Sequence, residues 1–323
     1  MREFEKPKIV VSKCLGFAAC RWNGETARDD FVDLLKPFVE FLPVCAEVEI
    51  GLGVPREPVR VVQKAKKLHL MQPATARDFT EEMQTFTEGY LSSLEGVDGF
   101  LLKSRSPSCG IKDVKLYPGI EKTGVIGKTS GFFGGEVAKR FPSLPIEDEA
   151  RLGDWRIREH FLSRIFMQAD FRRVRESGSM RELVRFHSEK KFMLMAASQR
   201  ALSELGRIVA NHEKLSPRDA IEAYGEKLSP AFAKIPRTGR IINVLMHGLG
   251  YVSKEIKASE RKYFLDSLER YRNGRIPMSV PVNILHELAI RFETDYLLDQ
   301  SFFEPYPEEL MLVTDSGKGR LPR

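Results

Sequence analysis

All four cysteines of this chain lie in its first third, at Cys14, Cys20, Cys45 and Cys109, each close to glycine, proline, serine or a carboxylate. No pair has the C-x-x-C spacing of a zinc ribbon or a thioredoxin-type dithiol, so both motifs fit poorly. Free cysteine packs as a small apolar side chain, but core packing explains four grouped cysteines less well than it explains one. The grouping indicates a site, and the fold must bring these separated thiols together.

Short apolar runs alternate with helix-like stretches in the first part of the chain. Residues 8–12, 41–44 and 99–103 have the composition of strands, and residues 29–41 and 79–94 have the pattern of helices. This alternation is typical of an α/β domain with a mainly parallel, Rossmann-like sheet.

Three of the cysteines lie beyond the ends of predicted strands. Cys14, Cys45 and Cys109 each stand just past the carboxyl end of a different one. In open α/β sheets that edge is where ligands bind. The spacing is therefore compatible with one shared site.

The pattern changes at residues 141–149, where prolines and acidic residues indicate a linker. Beyond it, apolar residues recur every three or four positions, which predicts helices. The predicted helices cover residues 155–171, 183–210, 217–224, 241–256, 259–272 and 282–298. We therefore predict an α/β domain at residues 1–147, a helical connector at 148–179 and an all-α domain at 180–323.

The positive charge belongs to the second part of the chain. Residues 1–150 contain 21 basic and 22 acidic side chains, whereas the remainder contains 30 and 23. Such asymmetry hints at a polyanionic partner, although an ordinary solvated surface explains a modest excess equally well.

The first residues mix charges and lack the apolar stretch of a signal peptide, and no apolar run reaches the length of a membrane span. We expect a cytoplasmic protein with no membrane partner. Thiols stay reduced in the cytoplasm, which favours metal ligation or catalysis over disulfides.

Three segments, at residues 11–24, 43–48 and 103–110, together resemble the thiouracil desulfidase family. The resemblance implies a 4Fe-4S cluster held by only three cysteines, with one iron not bound by the protein and open to the sulfur of a thiocarbonyl. An iron with an open position is a Lewis acid toward sulfur, so water can add at the C=S carbon without net electron transfer.

The expected cluster ligands are Cys14, Cys45 and Cys109, because each follows a different predicted strand. Cys20 lies on the same predicted loop as Cys14 and is the alternative third ligand, or a thiol beside the ligands. A four-cysteine zinc site is the alternative to the cluster.

Glu47 matches the family's catalytic carboxylate. A carboxylate at a strand end, close to a cluster and a stacked base, is suited to moving protons during water addition and sulfide release. The alternative is that Glu47 only pairs with Arg21 or Arg56.

Ser106 matches the family's active-site serine, and Ser104 and Ser108 stand close enough to compete for that role. A plain turn role before a proline is the alternative for Ser106. Arg21 and Trp22 are expected to bind substrate, Trp22 by stacking on a base. The family usually has Tyr-Asp where this chain has Trp22-Asn23. The resemblance therefore predicts no hydrogen bond from the Trp22 and Asn23 side chains.

The second part of the chain is similar to a helical domain of unassigned chemistry that is often joined to desulfidase domains. The matching stretches are residues 183–191, 205–207, 247–251, 271–277 and 302–307. The two-domain arrangement resembles the RudS-type desulfidases, which remove sulfur from 4-thiouridine in tRNA. Lysine and arginine on a helical module can bind RNA phosphates without reading sequence. The RNA-contact candidates are Arg185, Lys190, Lys191 and Arg207, and for each the alternative is a solvated helix face.

The leading interpretation is an iron-sulfur enzyme that converts 4-thiouridine in tRNA to uridine and releases sulfide by non-redox hydrolysis of the thiocarbonyl. One alternative is a desulfidase of free thiouracil or thionucleosides, with the helical domain serving dimerisation. The other is a non-catalytic, metal-containing RNA-binding protein.

Overall fold

The computed structural model describes residues 2–121 and 124–311, which divide into two compact units. The sheet unit comprises residues 5–169 with 309–311, and the helical unit comprises residues 2–4 with 170–308. The predicted α/β fold followed by helices is confirmed. No helix in the described ranges has the length and apolar character needed to cross a membrane.

The first sheet of the sheet unit is parallel throughout. Its strands are β1 Lys8–Ser12, β2 Glu40–Val44, β6 Gly99–Leu102 and β9 Ile146–Asp148, in the order β2-β1-β6-β9. Strand β1 is central, and all but its first residue are buried. Its carboxyl end and those of β2 and β6 open onto the same edge, because all three run in one direction.

A second sheet, which the sequence pattern did not predict, has five strands in the order β5-β4-β3-β7-β8. They are β3 Arg60–Lys64, β4 Lys67–Gln72, β5 Arg77–Asp78, β7 Val114–Tyr117 and β8 Gly127–Thr129. The β3–β4 hairpin turns at Ala65 and Lys66, with φ of 46° and 65°. Positive φ at both turn residues favours Asn-Gly, and Ala-Lys gives no such signal in the sequence.

The helices that lie between strands of the sheet unit are α1 Asp30–Leu35, α2 Ala46–Glu49, α3 Thr80–Ser93 and α4 Phe132–Arg140. The prediction of a helix over 29–41 is wrong beyond Leu35. Pro37 has no amide hydrogen with which to continue the helix, and β2 begins at Glu40.

The linker interpretation of residues 141–149 is also wrong in part, since Ile146–Asp148 forms β9. Ile146 and Asp148 pair with Phe100 and Leu102 of β6. Prolines and acidic residues suit a short edge strand as well as they suit a linker, so composition did not separate the two. The sheet consequently continues past the linker-like residues.

Nine α-helices follow β9 in the part of the chain that the structure describes. They are α5 Trp155–Ser177, α6 Met180–Glu189, α7 Lys191–Ala197, α8 Gln199–Ala210, α9 Pro217–Ala231, α10 Thr238–Val252, α11 Ala258–Arg272, α12 Ser279–Arg291 and α13 Asp295–Leu298. The single helix predicted over 183–210 is three helices. Ser198 separates the last two, with extended backbone and a hydroxyl that accepts a hydrogen bond from the Ala201 amide.

The start of α4 lies directly against the loop that carries Cys109. The Gly134 amide donates to the Ser108 carbonyl over 2.9 Å, and the Gly131 amide donates to the Gly110 carbonyl over 2.7 Å. A Cβ at Gly134 would lie 2.3 Å from the Cys109 carbonyl oxygen. Only glycine permits this approach.

We expect Gly134→Ala to lower the free energy of unfolding by about 1–3 kcal/mol, the usual cost of overpacking. Gly89 lies in the middle of α3, and a Cβ added there would have nothing within 4 Å, so Gly89→Ala is the matched control. It should stabilise the protein by roughly 0.5–1 kcal/mol through helix propensity. Urea denaturation of both variants measures the difference, and equal effects would contradict the close approach.

Candidate functional site

A cavity of about 430 Å³ opens at the carboxyl ends of β1, β2 and β6. This volume is within the range typical of small-molecule sites. Its lining includes all four cysteines together with Glu47, Ser106, Arg21 and Trp22. The fold thus brings together every residue that the sequence placed at the first-domain site.

The four thiols reach the cavity from three strand ends. Cys14 follows β1, and Cys20 lies on the same loop. Cys45 precedes α2, with its Sγ 3.8 Å from the Cys20 carbonyl oxygen. Cys109 is buried on the loop after β6, and none of the four forms a disulfide.

Burial controls the protonation of Cys14, Cys20 and Cys109 when no metal is bound. Desolvation, followed by the nearby Cys45, raises the pKa of Cys14 to about 11 and that of Cys20 to about 12. Desolvation also raises the pKa of Cys109. These thiols are therefore protonated near neutral pH, and metal binding would have to release their protons.

Ser106 shapes the loop that presents Cys109. Its hydroxyl oxygen accepts hydrogen bonds from the amides of Ser108, at 3.2 Å, and Cys109, at 3.1 Å. Its carbonyl accepts from the Gly110 amide at 2.9 Å. The turn role is therefore present, and among residues 2–121 and 124–311 no group accepts a hydrogen bond from the Ser106 hydroxyl.

Glu47, in the first turn of α2, is held by two side chains. Ser108 Oγ donates to Glu47 Oε1 over 2.8 Å, and Arg56 Nε donates to Oε2 over 2.9 Å. Arg56 Nη2 lies 2.8 Å from the same Oε2. The pairing with Arg56 that the sequence left open is formed, and it leaves Glu47 beside the cavity.

Arg56 also ties together the segments around Glu47. Its side chain is only 4% exposed. Nη1 donates to the Gly53 carbonyl over 2.8 Å, and Nη2 donates to the Cys20 carbonyl over 3.1 Å. One buried guanidinium therefore fixes the carboxylate relative to the loop that carries Cys14 and Cys20.

Trp22 lines the cavity and is 48% exposed, so part of its side chain is accessible to a ligand. Arg21 Nη1 lies 3.5 Å from Glu25 Oε2, and Asn23 Nδ2 donates to the same oxygen over 2.6 Å. Asn23 is thus engaged within its own loop.

A network that the sequence did not predict lies at the other side of the cavity. Glu149, directly after β9, accepts hydrogen bonds from Ser104 Oγ at 2.6 Å and the Ser104 amide at 2.8 Å, and it pairs with Lys103. Glu149 was not among the predicted site residues, because residues 141–149 were interpreted as a linker. Identifying β9 as the neighbour of β6 would have revealed it.

The RNA-contact candidates lie in the helical unit. Arg185 is half exposed on α6 and lies 3.5 Å from Glu182 and 3.3 Å from Glu189. Arg207 is exposed on α8, and Lys191 Nζ lies 5.8 Å from the ring centre of Tyr296.

Lys190 differs from these residues because it is buried. It forms an ion pair with Asp170, and desolvation lowers its pKa. This placement does not suit a direct phosphate contact, since the ion pair would have to open first.

The donor set at the cavity fits an iron-sulfur cluster. Within residues 2–121 and 124–311, no three His, Cys, Asp or Glu side chains are close enough to hold one metal ion. A cluster differs from a single ion because its cysteine ligands bind separate irons. Four free thiols on three strand ends supply the soft ligands that such clusters take.

Comparison with known proteins gives matches to both parts of the chain. The model of the 2-thiouracil desulfurase family matches residues 9–149, and that of a family of unknown function, DUF1722, matches residues 191–307.

Two curated proteins are similar to this chain, and both are uncharacterized. YbgA of Escherichia coli is 30% identical over 154 residues, covering 47% of this chain and 90% of YbgA. YbbK of Bacillus subtilis is 30% identical over 111 residues, covering 32% of this chain and 72% of YbbK.

Among solved structures, the 4Fe-4S-dependent thiouracil desulfidase TudS is 25% identical, with a TM-score of 0.35. The match covers 46% of this chain and 93% of TudS.

Proposed function

We propose that this chain is a desulfidase that converts 4-thiouridine in tRNA to uridine. The proposal starts from the family, since the chain belongs to the 2-thiouracil desulfurase family through residues 9–149. The main observation that supports a desulfidase is the cavity, which is lined by four free thiols and a buried, hydrogen-bonded Glu47. Thiocarbonyl and water give carbonyl and hydrogen sulfide, so the reaction balances without an oxidant or reductant.

We assign Cys14, Cys45 and Cys109 as the ligands of a 4Fe-4S cluster. When bound, a cluster with one iron free of protein ligands supplies a Lewis acid that polarises a C=S bond. Cys20 stays beside the ligands in this assignment. The proposed enzyme works in the cytoplasm, where thiols stay reduced.

Glu47 is the proposed proton carrier. Its carboxylate would take a proton from the attacking water and return it to the departing sulfur. Ser108 and Arg56 orient it through three contacts of 2.8–2.9 Å. Ser106 keeps the Cys109 loop in place, and Trp22 offers a stacking surface for the pyrimidine.

The positive excess after residue 150 and the exposed Arg185 and Arg207 support tRNA as the substrate. A stacked or paired base would have to be flipped out to enter the cavity. The second candidate function is desulfidation of free thiouracil, favoured by the description of the family, which names the free base.

The decisive assay uses the full chain, reconstituted without oxygen. With 4-thiouridine tRNA, the near-ultraviolet absorbance of the thionucleoside should disappear while sulfide is released, faster than with free 4-thiouracil or 2-thiouracil at equal concentration. Faster reaction of the free bases would favour the second candidate. Binding of tRNA without sulfide release from any substrate, with the cluster present, would favour the non-catalytic RNA-binding alternative.

A further inference from the structure

The loop that carries Cys109 is fixed at its start by side chains from neighbouring strands. It leaves β6 just beyond the last residue pair that β6 makes with β9. The first amide of the loop, that of Lys103, donates to Ser12 Oγ at the end of β1 over 2.8 Å. The next amide, that of Ser104, donates to Glu149 Oε2, directly after β9, over 2.8 Å. Two side chains therefore accept the hydrogen bonds that a longer sheet would otherwise satisfy.

Glu149 holds this loop through three groups. Besides the Ser104 amide, its carboxylate accepts a hydrogen bond from Ser104 Oγ at 2.6 Å and forms an ion pair with Lys103. The Glu149 side chain is only 12% exposed, and that of Lys103 is 24% exposed. Removing one partner of a largely buried pair is costly, because the other charge is left without compensation. The pair is therefore a fixed part of the structure at this side of the cavity.

Glu149 lies behind the cavity wall. Ser12, Lys103 and Ser104 line the cavity, and in the part of the chain that the structure describes Glu149 is not among the lining residues. It acts on the cavity through Lys103 and Ser104. Side chains that lie one contact away from a metal site in this manner orient the ligands and tune the metal.

The charges of Lys103 and Glu149 both act on Cys14. Lys103 stabilises a negative charge on the Cys14 sulfur and Glu149 destabilises it, the effect of Lys103 being the larger. Three bound thiolates outweigh the positive charge of an oxidised 4Fe-4S core, so the loaded site is anionic. An ammonium group near Cys14 offsets part of that charge, provided that it is held there.

We infer that Glu149 is a positioning residue of the cluster site, where it anchors the loop of Cys109 and holds the Lys103 ammonium near Cys14. The inference rests on the cluster of the proposed function and deepens it. Glu149 contributes hydrogen bonds and a negative charge, and the two contributions have different consequences. The hydrogen bonds keep a ligand loop in place, whereas the charges of Glu149 and Lys103 act on the cluster with opposite sign.

Loss of the anchor should make the cluster easier to remove. Anaerobically reconstituted Glu149→Ala should release iron to a chelator at least about tenfold faster than the parent protein, since losing an outer partner of a metal site typically costs about 10- to 100-fold. Glu149→Gln keeps an oxygen that can accept from Ser104, so its release rate should lie between the two. Circular dichroism establishes that both variants are folded.

The charges are tested by the midpoint reduction potential of the cluster, followed by electron paramagnetic resonance. The potential serves as a probe of local charge, because negative charge near a cluster disfavours its reduction. Glu149→Gln removes a negative charge and should raise the potential. Lys103→Met removes a positive charge and should lower it. The double variant Lys103→Met/Glu149→Gln should return the potential towards that of the parent, which loosening of the structure alone would not do.

The matched control is Glu147→Gln, two positions earlier and within β9. Glu147 is 19% exposed and binds Arg151 through contacts of 2.6 and 3.1 Å. The change therefore removes the same charge and a similar ion pair from the same strand. Arg151 belongs to the segment after β9 and not to the loop of Cys109. Iron release and the potential should consequently change much less than in Glu149→Gln.

Iron release from Glu149→Ala at the rate of the parent would overturn the inference. So would potentials that shift in the same direction in Glu149→Gln and Lys103→Met, or equal effects of Glu147→Gln. Sulfide release from a thiolated substrate in any of these cases would leave the proposed function standing. By contrast, the expected release rates and potentials without sulfide from any thiolated substrate would overturn the proposed function and retain the inference. A parent protein that takes up no cluster would overturn both.

Discussion

Serine at Cys14, Cys45 or Cys109 should remove most of the iron and acid-labile sulfide from anaerobically reconstituted protein, whereas Cys20→Ser should retain them. Each of the first three variants should also lose more than about 100-fold in activity. Mutating a residue that only hydrogen-bonds a metal ligand typically costs about 10- to 100-fold, and losing a ligand itself should cost more. The reason is positional, because these three cysteines lie on the segments that follow three parallel strands, and all three line the cavity at that edge.

Cys20 is expected to behave differently because its loop is already held by the protein. Its carbonyl accepts a hydrogen bond from Arg56 Nη2 at 3.1 Å. Serine keeps that backbone and changes only the side chain. Loss of iron in Cys20→Ser with retention in Cys14→Ser would instead make Cys20 the third ligand.

The same measurements separate the cluster from zinc. A four-cysteine zinc site would lose its metal in all four variants and would contain no acid-labile sulfide. Metal analysis of the parent protein must therefore find iron and sulfide in similar amounts. Oxygen has to be excluded throughout, since an exposed iron makes a cluster labile.

The sequence predicted the strand ends well because β1, β2 and β6 each contain a short apolar run, and β1 and β6 are buried almost throughout. Residues 8–12 and 99–103 correspond closely to β1 and β6, and the cysteines after them meet at one cavity. Parallel pairing explains this success, since strand direction alone decides which ends share an edge.

The sequence failed where pairing partners decide the structure. The β3–β4 hairpin has a turn without glycine or asparagine, and β9 is a three-residue edge strand among prolines and acidic residues. Neither carries a local signal strong enough to outweigh its composition. Glu149, which binds Ser104, was missed for this reason.

Side-chain partners were also beyond the reach of the sequence. It left open whether Glu47 pairs with Arg21 or Arg56, and three serines were nearly equivalent. In the structure Arg56 and Ser108 hold Glu47, and Ser106 binds the backbone of its own loop. Spacing gives the neighbourhood of a residue, whereas rotamers and loop geometry select its contacts.

Glu47→Gln should lower the desulfidation rate by about 10²- to 10⁴-fold, the usual contribution of general acid-base catalysis. Glutamine has nearly the same shape and can still accept a hydrogen bond from Ser108, but it cannot accept the proton of a water. Iron and sulfide contents should equal those of the parent protein. Rates measured at saturating substrate isolate this effect from binding.

Two companion variants separate the proton carrier from the groups that position it. Ser108→Ala and Arg56→Lys leave the Glu47 carboxylate in place but remove one neutral donor and a two-nitrogen contact, respectively. Hydrogen bonds to charged groups contribute about 1.5–3 kcal/mol. We therefore expect the desulfidation rate to fall roughly tenfold or more in Arg56→Lys, and by less in Ser108→Ala. Combined with Glu47→Gln, either change should have little further effect, because its action requires the carboxylate. Fully additive losses, or a Glu47→Gln variant as active as the parent, would show that the proton moves by another route.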